Sequence, residues 1–405
     1  MPLNASLRNS GLDFHSLYTS PISVKCLLAL DSEKLINPMS ASNTRGITQS
    51  RVDVLVVGQG IAGSWLAYQL MGRGWNVHIV DAAHQGSSSL VAAGIINPIT
   101  GKRIAKSWQL DAVYKPAIAA YQALEQAFGQ RYIHPCKLIR LYKNDEDKKR
   151  AEARFEDVDY THWMHPLSKE AMPAVLKKRE GFAIDGAAWV DMPALLESFK
   201  KHFQRQDALR TDTFNHTDLN FTEGSIAWQD TCYKWVIFCE GHATVHNPLF
   251  SWLPFKPAKG EILSLQTPTA ADLEGALINA GPWCLPINKD TVKVGATYSW
   301  DPLDCLPTEL GKTKLLEDYN KLIPGAVTGT VVEHKAGIRP STRDARPFIG
   351  FHPKHPALGI FNGFGSKGAL LTPYYSTHFA DVLMGCVSLD PEVNINRYDT
   401  PHAPC

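Results

Sequence analysis

Three glycines near the start of the sequence have the spacing that phosphate binding needs. Gly58, Gly60 and Gly63 form the pattern G-x-G-x-x-G after a β-branched run and before apolar residues at helical spacing. The first glycine permits a tight turn, the second lets the backbone approach a pyrophosphate, and the third lets the helix pack close to the strand. The N-terminus of the helix would then face the phosphates. The stretch therefore predicts a dinucleotide site.

The residues that follow narrow the choice of dinucleotide. A second strand, NVHIV, ends at Asp81, whose carboxylate suits a ribose diol and would repel a 2′-phosphate, so NADP is disfavoured. The next stretch, AHQGSSSLVAAGIINPITG, is rich in small and hydroxyl-bearing residues and favours a loop against a larger ligand such as FAD. Candidates for contact with its phosphate, ribityl or ring atoms are Ser88, Ser89, Ala93, Gly94 and Ile95. On these residues alone FAD, NAD and a plain surface loop all stay open.

A second glycine turn lies near the end of the chain. Gly363, Gly365 and Gly368 precede an apolar pattern at helical spacing that begins at Ala369. The N-terminus of such a helix offers unpaired N–H groups and partial positive charge, which suits the negative charge of a reduced flavin near N1 and O2. The alternative is a tight turn before an ordinary packing helix.

Several stretches resemble, in order and spacing, the FAD-dependent D-amino-acid oxidase superfamily over about residues 52–385. They are VVGQGIAG, AAGIINP, KGEI, VKVGATY, AGIRPSTRDARPFIG and the C-terminal glycine turn. The most similar members are the glycine and sarcosine oxidases and the oxidase half of the bifunctional tRNA wobble-uridine-modifying enzyme. The resemblance implies FAD as cofactor and oxidation of an amine next to a carboxylate.

The resemblance also implies roles for individual residues. Arg339 matches the arginine that holds the substrate carboxylate, a role that suits a permanently charged, bidentate guanidinium. The alternative is an ion pair between Arg339 and Asp344. Trp283 and Tyr298 match aromatic residues that line the substrate pocket, although either would also suit a hydrophobic core.

Two departures from the family pattern matter. Covalent-flavin sarcosine oxidases carry a cysteine near the position of Ser341 and Thr342, and none occurs here, so the resemblance implies non-covalent FAD. Ser366 stands where glycine oxidase has an arginine, whereas Lys367 matches the GSRG turn of the tRNA-modifying oxidase with lysine for arginine. The predicted catalytic residues are Arg339, Trp283, Tyr298 and Lys367. The predicted cofactor-binding residues are Gly58, Gly60, Ile61, Ala62, Gly63, Asp81, Ser88, Ser89, Ala93, Gly94, Ile95, Gly241, Gly363, Gly365, Ser366, Lys367, Gly368 and Ala369.

The implied reaction passes a hydride equivalent from the substrate α-carbon to flavin N5 while Arg339 holds the carboxylate, and the imine then hydrolyses. Oxygen and a quinone both stay open as the electron acceptor. Two other functions remain as alternatives. One is a stand-alone enzyme that removes the carboxymethyl group from a modified tRNA wobble uridine, and the other is a flavin-binding protein without turnover.

The elements that must position these residues predict an α/β fold. We expect a Rossmann-like FAD-binding domain of the glutathione-reductase type and a discontinuous, mainly antiparallel β domain that caps the substrate. The predicted FAD-binding domain comprises 50–125, 182–248 and 333–395, and the predicted substrate domain comprises 126–181 and 249–332. Residues 1–49 are expected to be a disordered extension or an over-long N-terminus, and 396–405 a tail.

Composition excludes several other classes of protein. The 405 residues include 41 basic and 40 acidic side chains, so the charge balance does not indicate a nucleic-acid partner, although tRNA stays open. The eight cysteines are scattered without zinc-site spacing, so we expect no metal and a reducing compartment. No run approaches the roughly 18 apolar residues of a membrane span. We therefore expect a soluble, cytoplasmic enzyme of small-molecule amines or amino acids.

Overall fold

The computed structural model describes residues 50–83, 87–222, 224–327 and 329–398. The predicted N-terminal extension, 1–49, lies outside the described residues, as do residues 399–405 of the predicted tail.

The strands and helices of the described residues are numbered in chain order. The strands are β1 Ser50–Val57, β2 Val77–Asp81, β3 Ile95–Ile96, β4 Ile99–Thr100, β5 Ala105–Lys106, β6 Ile133–Pro135, β7 Leu138–Leu141, β8 Met164–Pro166, β9 Gly181–Ile184, β10 Ala188–Val190, β11 Leu209–Thr211, β12 Leu219–Thr222, β13 Ser225–Trp228, β14 Thr231–Phe238, β15 Ala258–Gln266, β16 Leu277–Asn279, β17 Trp283–Pro286, β18 Thr291–Gly295, β19 Thr330–Arg339, β20 Phe348–Phe351 and β21 Leu358–Asn362. The α-helices are α1 Ile61–Met71, α2 Ser88–Val91, α3 Leu110–Phe128, α4 Asp145–Phe155, α5 Met192–Arg205, α6 Thr269–Asp272, α7 Glu309–Leu322 and α8 Gly368–Leu383. Of these helices, none is both long and apolar enough to cross a membrane.

The first sheet is built around β1. Its strand order is β11-β2-β1-β14-β13-β12, and β21 adds to β14 and in turn pairs with β20. β1 runs parallel to both β2 and β14, and β21 runs parallel to β14. Val54, Leu55 and Val56 of β1 are fully buried, as expected for a parallel strand that is covered on both faces. The carboxyl ends of β1, β2, β14 and β21 consequently meet at one edge of the sheet.

Different layers cover the two faces of this sheet. Helices α1, α3, α5 and α8 pack on one face through a core that includes Trp65, Tyr121 and Phe199. The opposite face packs against side chains from the β12–β13 region and from the segment after β14, with Trp228 and Phe250 buried there. The two apolar surfaces explain why the second half of β1, Val54–Val57, is a continuous hydrophobic run rather than an alternating one.

The second sheet is mainly antiparallel. Its order is β19-β15-β18-β17-β16-β7-β9-β8, and among these pairs only β16 and β7 run parallel. Leu263 and Leu265 of β15 share a hydrophobic core with Leu315 and Tyr319 of α7. Residues of β15 that alternate with these leucines point to the other face, because side chains along a strand switch sides at every residue. The two sheets agree with the predicted α/β fold class.

Two predicted domain boundaries fall inside strands of the second sheet. The boundary between 181 and 182 cuts β9, and the boundary between 332 and 333 cuts β19. The hydrophobic pattern of a strand shows that it is a strand but does not show which sheet it joins. The division into two domains stays a prediction, whereas membership of the second sheet extends to Ile184 and to Arg339.

Candidate active site

A cavity of about 1020 Å³ lies where the parallel strands of the first sheet end. Its walls include Val57 at the end of β1, Asp81 at the end of β2 and Cys239 just after β14. The second sheet contributes Gly260 and Trp283. In open α/β sheets, ligands bind in the crevice outside the carboxyl ends of the strands, so the position matches that of a nucleotide site.

Most of the residues predicted from the sequence line this cavity. Those that do are Gly58, Gly60, Ile61, Ala62, Asp81, Ser88, Ser89, Ala93, Gly94, Ile95, Gly241, Trp283, Arg339, Gly365, Ser366, Gly368 and Ala369. The structure places Gly63, Tyr298, Gly363 and Lys367 outside the lining. The chain thus brings residues separated by nearly the whole described sequence into one site.

The first glycine turn has the close contacts that its motif implies. A β-carbon on Gly63 would lie 1.9 Å from the carbonyl oxygen of Gly58, so only glycine lets α1 pack this tightly on the end of β1. Gly63 therefore supports the site from behind and does not line it. The backbone N–H of Ile61 donates to Ser89 Oγ at 3.1 Å, which joins α2 to the start of α1.

Asp81 is held in place by backbone donors. Its Oδ2 accepts from the N–H of Gln59 and its Oδ1 from the N–H of Ala83, both at 2.7 Å. A carboxylate has about four lone-pair sites, so capacity remains for the hydroxyls of a ribose. Its role in holding a ribose stays a prediction, and the two backbone donors fix the position of the carboxylate.

The second glycine turn brings another helix N-terminus to the same cavity. A short 3-10 helix, Gly365–Lys367, leads directly into α8, and no side chain caps the first turn of α8. Gly368 and Ala369 line the cavity from this end. Gly363 does not line the cavity; a β-carbon there would lie 2.7 Å from Thr342 Cγ2, so glycine is needed for this packing. Uncapped N–H groups and the helix dipole make this end of the cavity favourable for negative charge.

Arg339 is the positively charged side chain at the second sheet's side of the cavity. Its Nη1 donates to the carbonyl oxygen of Lys259 at 3.3 Å and, with Nη2, to the carbonyl oxygen of Thr297 at 3.4 Å. Among the described residues Arg339 forms no ion pair. Asp344, the alternative partner, lies 2.9 Å from Arg397 instead. Burial lowers the pKa of Arg339, yet an arginine in a protein stays charged. The structure therefore does not support the alternative pairing with Asp344.

The guanidinium lies flat against β15. A β-carbon on Gly260 would lie 2.1 Å from Arg339 Nη2 and 2.4 Å from its Cζ. Any side chain at position 260 would thus occupy the space of the guanidinium. Gly260, within the KGEI stretch, is a site residue whose role sequence reasoning missed, although the motif itself was noticed.

The two predicted aromatic residues have different places. Trp283 lines the cavity from β17. Tyr298 is 54% exposed and lies over the outer side of Arg339, with its ring centre 5.3 Å from Arg339 Cζ. Tyr298 therefore covers the guanidinium by a cation–π contact and does not form a wall of the cavity.

Lys367 also lies outside the lining. It immediately precedes α8, and burial lowers the pKa of its ammonium group. The structure thus gives no contact between Lys367 and the cavity that would match the catalytic role implied by the resemblance.

A further group of polar residues lines the cavity near the ends of β11 and β14. Glu240 Oε1 lies 2.8 Å from His216 Nε2, and Glu240 Oε2 accepts from Asn247 Nδ2 at 2.7 Å. Glu240 and His216 both face the cavity. Only the adjacent Gly241 is predicted from the sequence, although Glu240 carries a signal of its own, since it follows a buried strand that ends at this edge.

These residues fit FAD. The N-termini of two helices, α1 and α8, face one cavity, and the carboxylate of Asp81 lies at the end of β2. The glycines of the first turn leave backbone rather than side chains at the wall of the cavity. Within the described residues, no group of three or more metal-ligating side chains could hold a metal ion. The fold and the site thus define a class: a dinucleotide-binding oxidoreductase.

Comparisons with known proteins agree with this class. The family model described as DAO, FAD dependent oxidoreductase, matches residues 53–382. Glycine oxidase of Pseudomonas putida is 25% identical over 82% of this chain and 94% of its own length. The tRNA 5-methylaminomethyl-2-thiouridine biosynthesis bifunctional protein MnmC of Hahella chejuensis is 24% identical over 82% of this chain and 57% of its own length. The crystal structure of iminodiacetate oxidase from Chelativorans sp. BNC1 matches with a TM-score of 0.72 and 24% identity, over 86% of this chain and 100% of that one.

The chain therefore belongs to the DAO family of FAD-dependent oxidoreductases. FAD is its cofactor, which confirms the expectation that followed from the family resemblance. The family resemblance stated from the motifs is confirmed as well.

Proposed function

We propose that this flavoprotein oxidises the C–N bond of an amine that carries a carboxylate on the adjacent carbon. The observation that carries the proposal is Arg339, a partly buried guanidinium that lines the cavity and forms no ion pair with an acidic side chain among the described residues. Burying an unpaired charge is costly, and a substrate carboxylate would offset that cost. A bidentate pair with the guanidinium would also fix the orientation of the substrate.

The chain's own residues supply binding, orientation and electrostatics. Arg339 holds the carboxylate, and Trp283 of the same sheet also lines the cavity. Bound FAD supplies the acceptor of a hydride equivalent. The uncapped N-terminus of α8, which also lines the cavity, would stabilise negative charge there. If the amine binds unprotonated, no acid or base side chain is required, and the imine product hydrolyses in water.

The substrate class that this site favours is a small amino acid or an N-substituted glycine. The names of two similar proteins, glycine oxidase and iminodiacetate oxidase, support that class. Oxygen or a quinone would take up the electrons in the second half of the cycle. The scattered cysteines of the sequence favour the cytoplasm as the compartment of the reaction.

Anaerobic bleaching of the bound flavin tests the proposal. Glycine, sarcosine, iminodiacetate, D-alanine and D-proline are mixed in turn with wild type, with Arg339→Ala and with Arg343→Ala, a control in which an exposed neighbouring arginine is removed. At least one of these amines should bleach wild type and Arg343→Ala. In Arg339→Ala, kcat/KM should fall by about 100-fold or more, since a charged hydrogen bond to substrate is lost. Equal bleaching of wild type and Arg339→Ala would contradict the role of the arginine.

One observation favours a second candidate, a tRNA-borne substrate. Tyr298 and Trp300 are 54% and 55% exposed, and their ring centres lie 5.1 Å apart beside Arg339. Lys256 Nζ lies 5.5 Å from the ring centre of Trp300. Exposed aromatic faces next to a cation are suited to stack a nucleobase and attract its phosphate. We therefore propose, as the alternative, a carboxymethylaminomethyl-uridine whose carboxylate reaches Arg339.

The two candidates differ in what Trp300→Ala does. For a tRNA-borne substrate, bleaching by carboxymethylaminomethyl-uridine tRNA should be faster than bleaching by any free amino acid, and Trp300→Ala should slow only the tRNA reaction. Loss of one stacked base should cost about tenfold in kcat/KM. Efficient bleaching by a free amino acid and none by the tRNA would exclude this alternative.

A further inference from the structure

Two buried charged side chains of β15 take no part in the proposed reaction. Lys259 and Glu261 are 2% and 4% exposed, and they flank Gly260. Because side chains alternate along a strand, both point away from the face on which Gly260 contacts Arg339. Desolvating two charges is costly, and apolar residues of similar size would serve stability as well or better. The pair therefore needs an explanation other than core packing.

Lys259 is attached to the chain that leaves β18. We call residues 296–308 the return segment. Lys259 Nζ lies 2.5 Å from Asp304 Oδ1 in this segment. The backbone of Lys259 also pairs with Ser299, donating to its oxygen at 2.8 Å and accepting from its N–H at 3.0 Å. The middle of the return segment is thus fixed to β15 by both backbone and side chain.

Glu261 fixes the two ends of the same segment. Its carboxylate accepts from the N–H and from Oγ1 of Thr308, both at 2.9 Å, at the point where α7 begins. Its backbone N–H donates to Thr297 Oγ1 at 2.8 Å. His334 Nε2 of the neighbouring strand β19 lies 2.8 Å from Glu261 Oε2, the oxygen that also accepts from the Thr308 N–H. The polar groups of Glu261 are therefore satisfied by holding the return segment.

The return segment in turn holds the guanidinium of Arg339. Thr297 supplies a carbonyl oxygen that accepts from both terminal nitrogens of Arg339, and the Tyr298 ring covers its outer side. Ala296 and Cys305 of the segment line the cavity. A shift of the segment would consequently move the two groups that orient the arginine.

We propose that Lys259 and Asp304 are positioning residues, which set the affinity for a substrate carboxylate by fixing the return segment against Arg339. The inference rests on the proposed function of Arg339 and names the residues that give that site its geometry. It differs from a stabilising role in a measurable way. A merely stabilising role would lower the melting temperature and leave the affinity for a carboxylate unchanged, whereas displacing the arginine by a fraction of an ångström weakens carboxylate binding.

Calorimetric titration of the FAD-loaded protein tests the inference without turnover. The probe is N-acetylglycine, which carries the carboxylate but no oxidisable amine, and acetamide serves as the uncharged control probe. Asp304→Asn and Lys259→Met should each raise the dissociation constant of N-acetylglycine about tenfold. Asp304→Glu, which keeps the carboxylate at a partly exposed position, should stay within about twofold of wild type. The affinity for acetamide should not change.

The matched control is another ion pair of the second sheet. Asp147 lies 3.4 Å from Arg140 Nη2 and is more deeply buried than Asp304, but neither it nor Arg140 lines the cavity. Asp147→Asn should lower the melting temperature and leave the dissociation constant unchanged.

Three outcomes separate the inference from the proposed function. If Asp304→Asn binds N-acetylglycine as wild type does while Arg339→Ala does not, the positioning role is wrong and the function stands. If Asp304→Glu is as weak as Asp304→Asn, the carboxylate is not what matters and the positioning role is again wrong. If Arg339→Ala binds N-acetylglycine with wild-type affinity, the proposed function itself fails.

Discussion

At the scale of single residues, the site depends on an arginine and on the absence of a side chain opposite it. Arg339 ends β19 and reaches across β15 to the carbonyl oxygen of Thr297. It can do so because position 260 is glycine, whose missing β-carbon leaves room for the guanidinium. The carbonyl oxygens of Lys259 and Thr297 orient the guanidinium without neutralising it, so its charge remains available to a ligand.

The first prediction at this scale concerns Gly260→Ala. The added methyl group would overlap the guanidinium, so Arg339 must move off β15. We expect binding of N-acetylglycine to weaken at least tenfold with full FAD content, measured by calorimetry and by flavin absorbance. Ser264→Ala, farther along the same face of β15, should bind like wild type. Unchanged affinity in Gly260→Ala would show that the arginine does not need this space.

Sequence reasoning reached some of these residues and not others, for physical reasons. Arg339 was predicted because its motif resembles a family pattern that carries a known role. Gly260 was missed because close approach of a side chain from another strand leaves no local signal in the sequence. Tyr298 was predicted near the substrate, and it lies beside Arg339, but which side of the guanidinium it covers depends on the path of the return segment.

At the scale of elements, helices α1 and α8 both begin at the cavity, and Gly63 determines how closely α1 packs on β1. The spacing of Gly58, Gly60 and Gly63 predicted the strand, turn and helix, because each glycine meets a constraint within one βα unit. The start of α8 was predicted for the same reason. Local glycine turns are therefore the part of the site that is most readily predicted from sequence.

Gly63→Ala tests this packing. A β-carbon at position 63 would lie 1.9 Å from the carbonyl oxygen of Gly58, so α1 must move away from the turn and from the phosphates it would bind. We expect a loss of FAD affinity of at least tenfold, with overpacking costing about 1–3 kcal/mol. The measurement is FAD content after dialysis, followed by titration with FAD.

The control for that experiment is Gly72→Ala, at the other end of α1. Gly72 has φ −61°, which any residue adopts, and it ends the helix away from the cavity. This variant should retain FAD like wild type. If Gly63→Ala also retains its FAD, the close packing of α1 on β1 is not required for the cofactor.

At the scale of the whole molecule, one cavity takes walls from two sheets. The ends of β1 and β2 and the residues just after β14 supply one side, while β15 and β17 supply residues of the other. Strand β19 belongs to the second sheet through its whole length and delivers Arg339 at its end. The predicted boundary near 333 could not anticipate this, since pairing between strands distant in the chain depends on the assembled fold rather than on the pattern of either strand.

Cofactor removal tests whether FAD holds the folded molecule together. A ligand that binds only the folded state stabilises it by RT ln(1 + [L]/Kd), about 2.7 kcal/mol at 100 times Kd. For a chain of this size we expect the melting temperature to fall by about 4 °C on removal of FAD and to recover when FAD is added back. Gly63→Ala, with its displaced turn, should show a smaller recovery at the same FAD concentration. Scanning calorimetry measures both melting temperatures. Equal melting temperatures with and without FAD in wild type would show that FAD binding does not add to the free energy of unfolding.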